Sequence, residues 1–236
     1  MRDRLFLPVG GTGGGSVATP FDVPLWKEVL RYARTSENLP RVGLLATPSR
    51  LTGQIDPQEL LLNHKSLEDG LGCSFILLDD ASFGQGKEDV DILCITCGNT
   101  QAARDEWRRT GCEEKIRHSY ERGIPVTGYS AGFILFYEWA STDSVPGPEG
   151  ATYGVMPCMG ILQGGAVPHA DTQPARLSDF QKVLTEKEIS PVLALGEEVL
   201  AVYRNERVER VLSSKPNPVA GWLEKDKFTP IPTIFL

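Results

Sequence analysis

Five short apolar runs, at 4–9, 41–46, 73–78, 92–96 and 124–128, are each bounded by Gly, Asp or Pro. Runs this brief and rich in Leu, Ile and Val read as strands buried on both faces. Charged, helix-like stretches lie between them at 24–37, 57–71 and 100–122, the first opening on Pro24. Strand–helix alternation predicts an α/β fold, a mostly parallel sheet sandwiched by helices. After residue 140 the texture changes. The stretch 144–165 is rich in Gly and Pro and reads as an irregular excursion. A helix is expected over 175–188, then an antiparallel hairpin over 192–212 turning at Arg204-Asn205-Glu206, then an edge segment at the C-terminus. At 236 residues the simplest organisation is one domain, 1–236.

The balance of 41% hydrophobic and 23% charged residues argues against disorder. A net charge of −7 without a basic block gives little electrostatic reason to bind nucleic acid. The longest uncharged stretch, 150–170, holds five Gly and two Pro and does not form a membrane-spanning helix. The apolar run near the N-terminus is too short for a signal-peptide core. Five scattered cysteines fit reduced thiols, and a cytoplasmic protein is expected.

The segment Gly128-Tyr129-Ser130-Ala131-Gly132 is a G-x-S-x-G after a predicted strand and before a helical run. That is the context of a nucleophile elbow, where Ser sits on a strained turn and its neighbours must be small. The plainer reading is a Gly-flanked turn with a passive Ser. A nucleophilic Ser needs a base, and the chain has three His. His118 sits on the helix entering the strand before Ser130, about 15–20 Å away at its other end. His64 lies on a polar helical face and is expected to be solvated. His169, in Pro168-His169-Ala170-Asp171, follows a short strand on a loop and is the expected base. Between Ser130 and His169 stand the acids Glu138, Asp143 and Glu149. Asp143 is the first choice to orient His169 and Glu149 the second, although either would also suit a solvated turn. Ala131 N–H and Gly98 N–H are the expected oxyanion donors, and Asn99 reads equally as a helix cap.

These residues resemble peptidase family S51, which contains the aspartyl dipeptidases (peptidase E) and the cyanophycinases. The resemblance runs from Ile92 to about Ala201. It rests on Gly98-Asn99-Thr100, Arg122-Gly123-Ile124-Pro125, the Ser130 elbow, Asp143-Ser144 and Pro168-His169-Ala170-Asp171. It implies a sandwich related to the class I glutamine amidotransferases and hydrolysis of dipeptides with N-terminal aspartate. It favours Asp143 as triad acid, while the cyanophycinase branch keeps Glu149 open. It places Arg176 where a substrate carboxylate could bind, although Arg176 also reads as a surface residue opening a helix. The expected partner is a small peptide, with no cofactor, no metal, no nucleic acid and no membrane; a homodimer is left open. Thr96 and Cys97 stand where the family has glycines, and Phe133 where it has a small residue, so crowding at the oxyanion turn or altered specificity is expected. The rival readings are an esterase-type hydrolase and a non-catalytic relative. Against the first, only 39 residues separate Ser130 from His169.

Two features point away from this chemistry. The run Gly10–Ser16 lacks the Lys of a phosphate loop and fits no G-x-G-x-x-G register, so it reads as a flexible loop bordering the site. Cys94-Ile95-Thr96-Cys97 has no second Cys pair and reads as part of a strand.

Overall fold

The computed structural model describes residues 2–13, 22–34, 39–81, 83, 90–184, 186–225 and 227–236. In chain order the elements of the first half are β1 (Leu5–Val9), α1 (Val23–Leu30), β2 (Arg41–Leu45), α2 (Thr47–Arg50), α3 (Pro57–Lys65), α4 (Glu68–Leu71), β3 (Ser74–Leu77) and β4 (Ile92–Ile95). The middle holds α5 (Thr100–Thr110), α6 (Cys112–Glu121), β5 (Val126–Tyr129), α7 (Ala131–Ile134), β6 (Tyr137–Thr142), β7 (Gly154–Pro157), β8 (Leu162–Val167) and α8 (Ala175–Leu184). Six strands finish the chain: β9 (Val192–Leu195), β10 (Val199–Arg204), β11 (Arg207–Ser213), β12 (Ala220–Glu224), β13 (Lys227–Pro230) and β14 (Thr233–Phe235).

The five apolar runs all form strands, and all five are parallel, in the order β1-β5-β4-β2-β3. β10 joins antiparallel at β1, followed by β11 and β14, which makes eight strands. A second sheet of six runs β13-β12-β9-β8-β6-β7. Alternate side chains go to opposite faces of the first sheet. Leu7 and Val9 pack with Trp26 of α1 and Leu60 of α3. Phe6, Leu93 and Ile95 face Trp107 of α5, Ile116 of α6 and the second sheet. Helix α8 covers the far face of the second sheet through Phe180 and Leu184. Phe6 and Phe136 join the layers as stacked rings with centroids 4.0 Å apart.

The expected α/β class is the observed one, and several local expectations change. The predicted helix over 100–122 breaks at Gly111, which takes the left-handed conformation (φ 73) that ends α5. The stretch 144–165 is not wholly irregular: it contains β7 and the start of β8. Gly164 marks a close approach, since a Cβ there would lie 1.8 Å from Pro191 O. The helix after the elbow is one turn only, and Glu138 lies on β6. In the expected hairpin, β10 and β11 turn at Asn205-Glu206, both at positive φ (49 and 64), as a two-residue hairpin requires. Its leading segment, β9, belongs instead to the second sheet. The last residues edge both sheets, β13 on the second and β14 on the first. Gly14–Ser16 and positions 35–37 of the first predicted helix lie outside the described residues.

His64 is buried, not solvated. Its Nδ1 lies 2.8 Å from Leu60 O, and its ring packs edge-on to Trp26 and Phe75. Burial pulls its pKa down to about 4. His64 is therefore neutral at physiological pH and serves as packing.

Phe136→Ala removes half of the ring stack between the layers. A loss of about 3–5 kcal/mol is expected in urea unfolding, as for large-to-small core changes.

Candidate active site

The parallel strands end at one edge of the first sheet, and the crevice beyond strand C-termini is where α/β sheets place ligands. Ser130 stands there, between β5 and α7. Its backbone is strained (φ 52, ψ −109), an unusual conformation for a residue with a Cβ. The two flanking glycines permit it. A Cβ on Gly128 would lie 2.7 Å from Gly132 C and O, and one on Gly132 would lie 2.1 Å from Ile95 O. A Ser at a helix start ordinarily caps the helix with its hydroxyl. Ser130 makes no such bond. Its Oγ lies 2.7 Å from His169 Nε2.

His169 sits on the loop after β8, also at positive φ (53). Its N–H donates to Gly10 O at 3.3 Å, and Ala170 N–H donates to Leu195 O at 3.1 Å. Its Nδ1 lies 2.5 Å from Glu197 Oε1. Glu197 is on the connection between β9 and β10. Its Oε2 accepts Gly13 N–H at 2.9 Å, and Oε1 also accepts the Thr172 hydroxyl at 3.2 Å. Burial raises the Glu197 pKa, but these donors and His169 outweigh it and hold the carboxyl below its usual range. An ionised carboxylate only accepts, so Nδ1 carries the ring proton. The Nε2 lone pair is then free to accept the Ser130 hydroxyl.

Both ring nitrogens of His169 are thus engaged, which corrects the expected orienting acid. Asp143 follows β6 with its side chain 69% exposed and pairs with Arg176 Nη2 at 3.4 Å. Glu149 is exposed on a turn. Glu197 lies 28 residues beyond His169, outside the interval between Ser130 and His169 that holds Glu138, Asp143 and Glu149. The available signal was Gly196-Glu197-Glu198 at the exit of the apolar run 192–195, the kind of strand-end position that singled out His169. His118 lies on α6, at the other end of β5 from Ser130.

The glycine run at 10–13 belongs to this site. A Cβ on Gly11 would lie 2.0 Å from Glu197 Oε2 and 2.6 Å from His169 Nδ1. A Cβ on Gly10 would lie 2.0 Å from Gly196 O. The bare backbone therefore forms the back wall of the imidazole–carboxylate pair.

A cleft of about 500 Å³ opens above Ser130, lined among others by Cys97, Gly98, Asp143, His169 and Arg176. Gly98 has φ 135, and a Cβ there would lie 2.1 Å from Pro48 O. Asn99 caps α5, its Oδ1 accepting Ala102 N–H at 2.9 Å. The cap and the cleft wall coexist in one turn. Thr96 does not crowd the cleft, since its buried Oγ1 lies 2.9 Å from Ser49 Oγ and 3.3 Å from Leu45 O. Phe133 faces the core against Tyr137. Only Cys97 changes the cleft wall, and burial pushes its thiol up to about 12, so it is not a thiolate at neutral pH. Arg176 is not a surface residue. It is buried, with Nη1 donating to Ser141 O at 3.0 Å, Nε donating to Gln173 Oε1 at 2.6 Å, and the guanidinium 4.2 Å over the Tyr153 ring. Burial lowers its pKa, and Asp143 is the foremost charge opposing that.

The sequence profile of peptidase family S51 matches residues 64–211, more than half of the chain. The chain belongs to peptidase family S51. It is 24% identical over 208 residues to the uncharacterized peptidase YgaJ of Bacillus subtilis (strain 168), covering 86% of this chain and 85% of that one. Among solved structures it resembles a peptidase from an acI-B1 Actinobacterium (TM-score 0.67, 14% identity, 97% and 94% of the two chains). It also resembles a putative peptidase E protein from Listeria monocytogenes EGD-e (TM-score 0.58, 16% identity, 94% and 100%). The structural likenesses support the α/β fold, and membership of the family supports a peptidase. Among the described residues, no helix is long and apolar enough to cross a membrane.

The lowered Glu197 pKa has a consequence for folding. Its stabilising contribution is fully present above the ordinary glutamate range and is lost as pH falls through the lower folded-state value. Urea midpoints of the wild type and Glu197→Gln should therefore differ at neutral pH and converge on acidification.

Proposed function

We propose that this protein is a serine peptidase acting on short peptides whose N-terminal residue is acidic. The supporting observation is the run of contacts from Ser130 Oγ to His169 Nε2 (2.7 Å) and from Nδ1 to Glu197 (2.5 Å). In this reading Ser130 Oγ attacks the peptide carbonyl carbon while Nε2 takes its proton. Glu197 holds the ring and stabilises its positive charge. The carbonyl oxygen becomes an oxyanion that receives N–H groups from Ala131, at the start of α7, and Gly98, across the cleft. Helical geometry leaves the Ala131 N–H without an intrahelical acceptor. The C–N bond breaks as His169 returns the proton to the leaving amine. Water then enters by the same route, releasing the acid and restoring Ser130.

Arg176 carries the substrate preference. A guanidinium almost wholly withdrawn from water, with an exposed carboxylate 3.4 Å away as its counter-ion, suits a second carboxylate delivered by a ligand. An aspartyl side chain supplies one, and the cleft volume matches a dipeptide-sized ligand.

A fluorophosphonate probe and a panel of Asp-X, Glu-X, Asn-X and neutral dipeptides test this reading. Wild type should label and prefer Asp-X, and Ser130→Ala should do neither. Glu197→Gln should lower kcat by about 10⁴-fold, as loss of the orienting acid does in other triads, and far more than Asp143→Asn. Labelling that persists in Ser130→Ala would refute the nucleophile. Arg176→Met should raise KM for Asp-X by about 10- to 100-fold, the range for losing a charged hydrogen bond. It should leave KM for neutral dipeptides nearly unchanged.

A further inference from the structure

Glu197 stands on a short connection between two strands, and the next residue, Glu198, is at positive φ (55). Gly13 and Thr172 hold its carboxylate, but the reach of that carboxylate depends on where the backbone of residue 197 lies. That backbone N–H donates to Asp171 Oδ1 at 2.9 Å. The same oxygen accepts Thr172 N–H, also at 2.9 Å. The other carboxylate oxygen of Asp171 is paired with Lys215 Nζ, just after β11. Burial raises the Asp171 pKa, but Lys215 and the Glu197 N–H more than offset it and keep the group ionised. Gly196 leaves room for this contact, since a Cβ there would lie 2.8 Å from Asp171 Cγ.

Asp171 is two residues from His169 on the same loop. One carboxylate therefore ties the loop carrying the imidazole to the connection carrying the acid. We propose that Asp171, clamped by Lys215, is a positioning residue that sets the distance between Glu197 and His169. The inference rests on the Ser130–His169–Glu197 reading above. Asp171 lies outside the cleft lining, and in this reading it acts through the placement of Glu197. Its loss should slow the chemical step and leave substrate binding unaltered. Misplacing a catalytic group by about 1 Å can cost about 100-fold.

A double-mutant cycle decides this, read as fluorophosphonate labelling rate, with kcat and KM for Asp-X measured on the single variants. Asp171→Ala should lower kcat and labelling by about 10- to 100-fold and leave KM within about twofold. Asp171→Asn, which keeps an acceptor for the Glu197 N–H but loses the charge that Lys215 holds, should recover only part of that loss. In a Glu197→Gln background Asp171→Ala should cost less than about threefold, because residues acting through one another are not additive. Equal fold-losses in both backgrounds, or a folded Asp171→Ala with wild-type kcat, would overturn the proposal. If Asp171→Ala does not fold, Lys215→Met runs the same cycle with the same two outcomes. A wild-type rate in Glu197→Gln would refute the triad reading itself. A slow Glu197→Gln with an additive Asp171 loss would refute the clamp alone.

Discussion

The arrangement depends on a glycine-rich stretch of backbone, Gly10-Gly11-Thr12-Gly13. Where β1 ends, Gly10 and Gly11 pass so close to Gly196, Glu197 and His169 that even a methyl group would overlap them. In return this backbone supplies a carbonyl to the His169 N–H and an N–H to the Glu197 carboxylate. A buried carboxylate is costly unless its oxygens are satisfied. Here one donor, the Gly13 N–H, comes from 184 positions earlier in the chain, and the others, Thr172 and His169, from the loop after β8. A glycine-rich stretch can serve a ligand's phosphate in one fold and a protein's own carboxylate in another, for the same reason: exposed N–H groups with nothing in front of them.

Much of the frame was legible in the sequence. The apolar runs became strands because five or six such residues between breakers have few other ways to be buried, and Ser130 was visible because its glycines are spaced for a sharp turn. His169 emerged because only three histidines had to be weighed. The remainder was hidden for physical reasons. The run Phe133–Tyr137 is apolar on every side, so its pattern does not separate a helix from a strand. Here α7 stops after one turn and the chain re-emerges as β6. Gly164 and Gly165 read as loop residues, but they are small because Pro191 and Phe180 press against them. The orienting carboxylate was missed because chain order says little about which side chains converge. Glu197 lies after His169 in sequence and beside it in space.

Arg176 shows the same gap between position and role. Its place at the start of α8 suggested the surface, yet α8 lies on the second sheet and turns Arg176 inward. The desolvated guanidinium is stabilised there by Ser141 O, Gln173, the Tyr153 ring and Asp143. Asp143, placed by sequence at the imidazole, is instead part of what makes a buried cation tolerable.

Ser130 is anchored at the end of a strand in the larger sheet, His169 follows a strand in the smaller one, and Glu197 bridges the two. The hydroxyl–imidazole contact is thus also a gauge of how the two halves of the sandwich are aligned. A sub-ångström slide between them would leave every strand intact and still part the oxygen from the nitrogen. Buried residues with no access to the cleft can in this way tune reactivity from a distance.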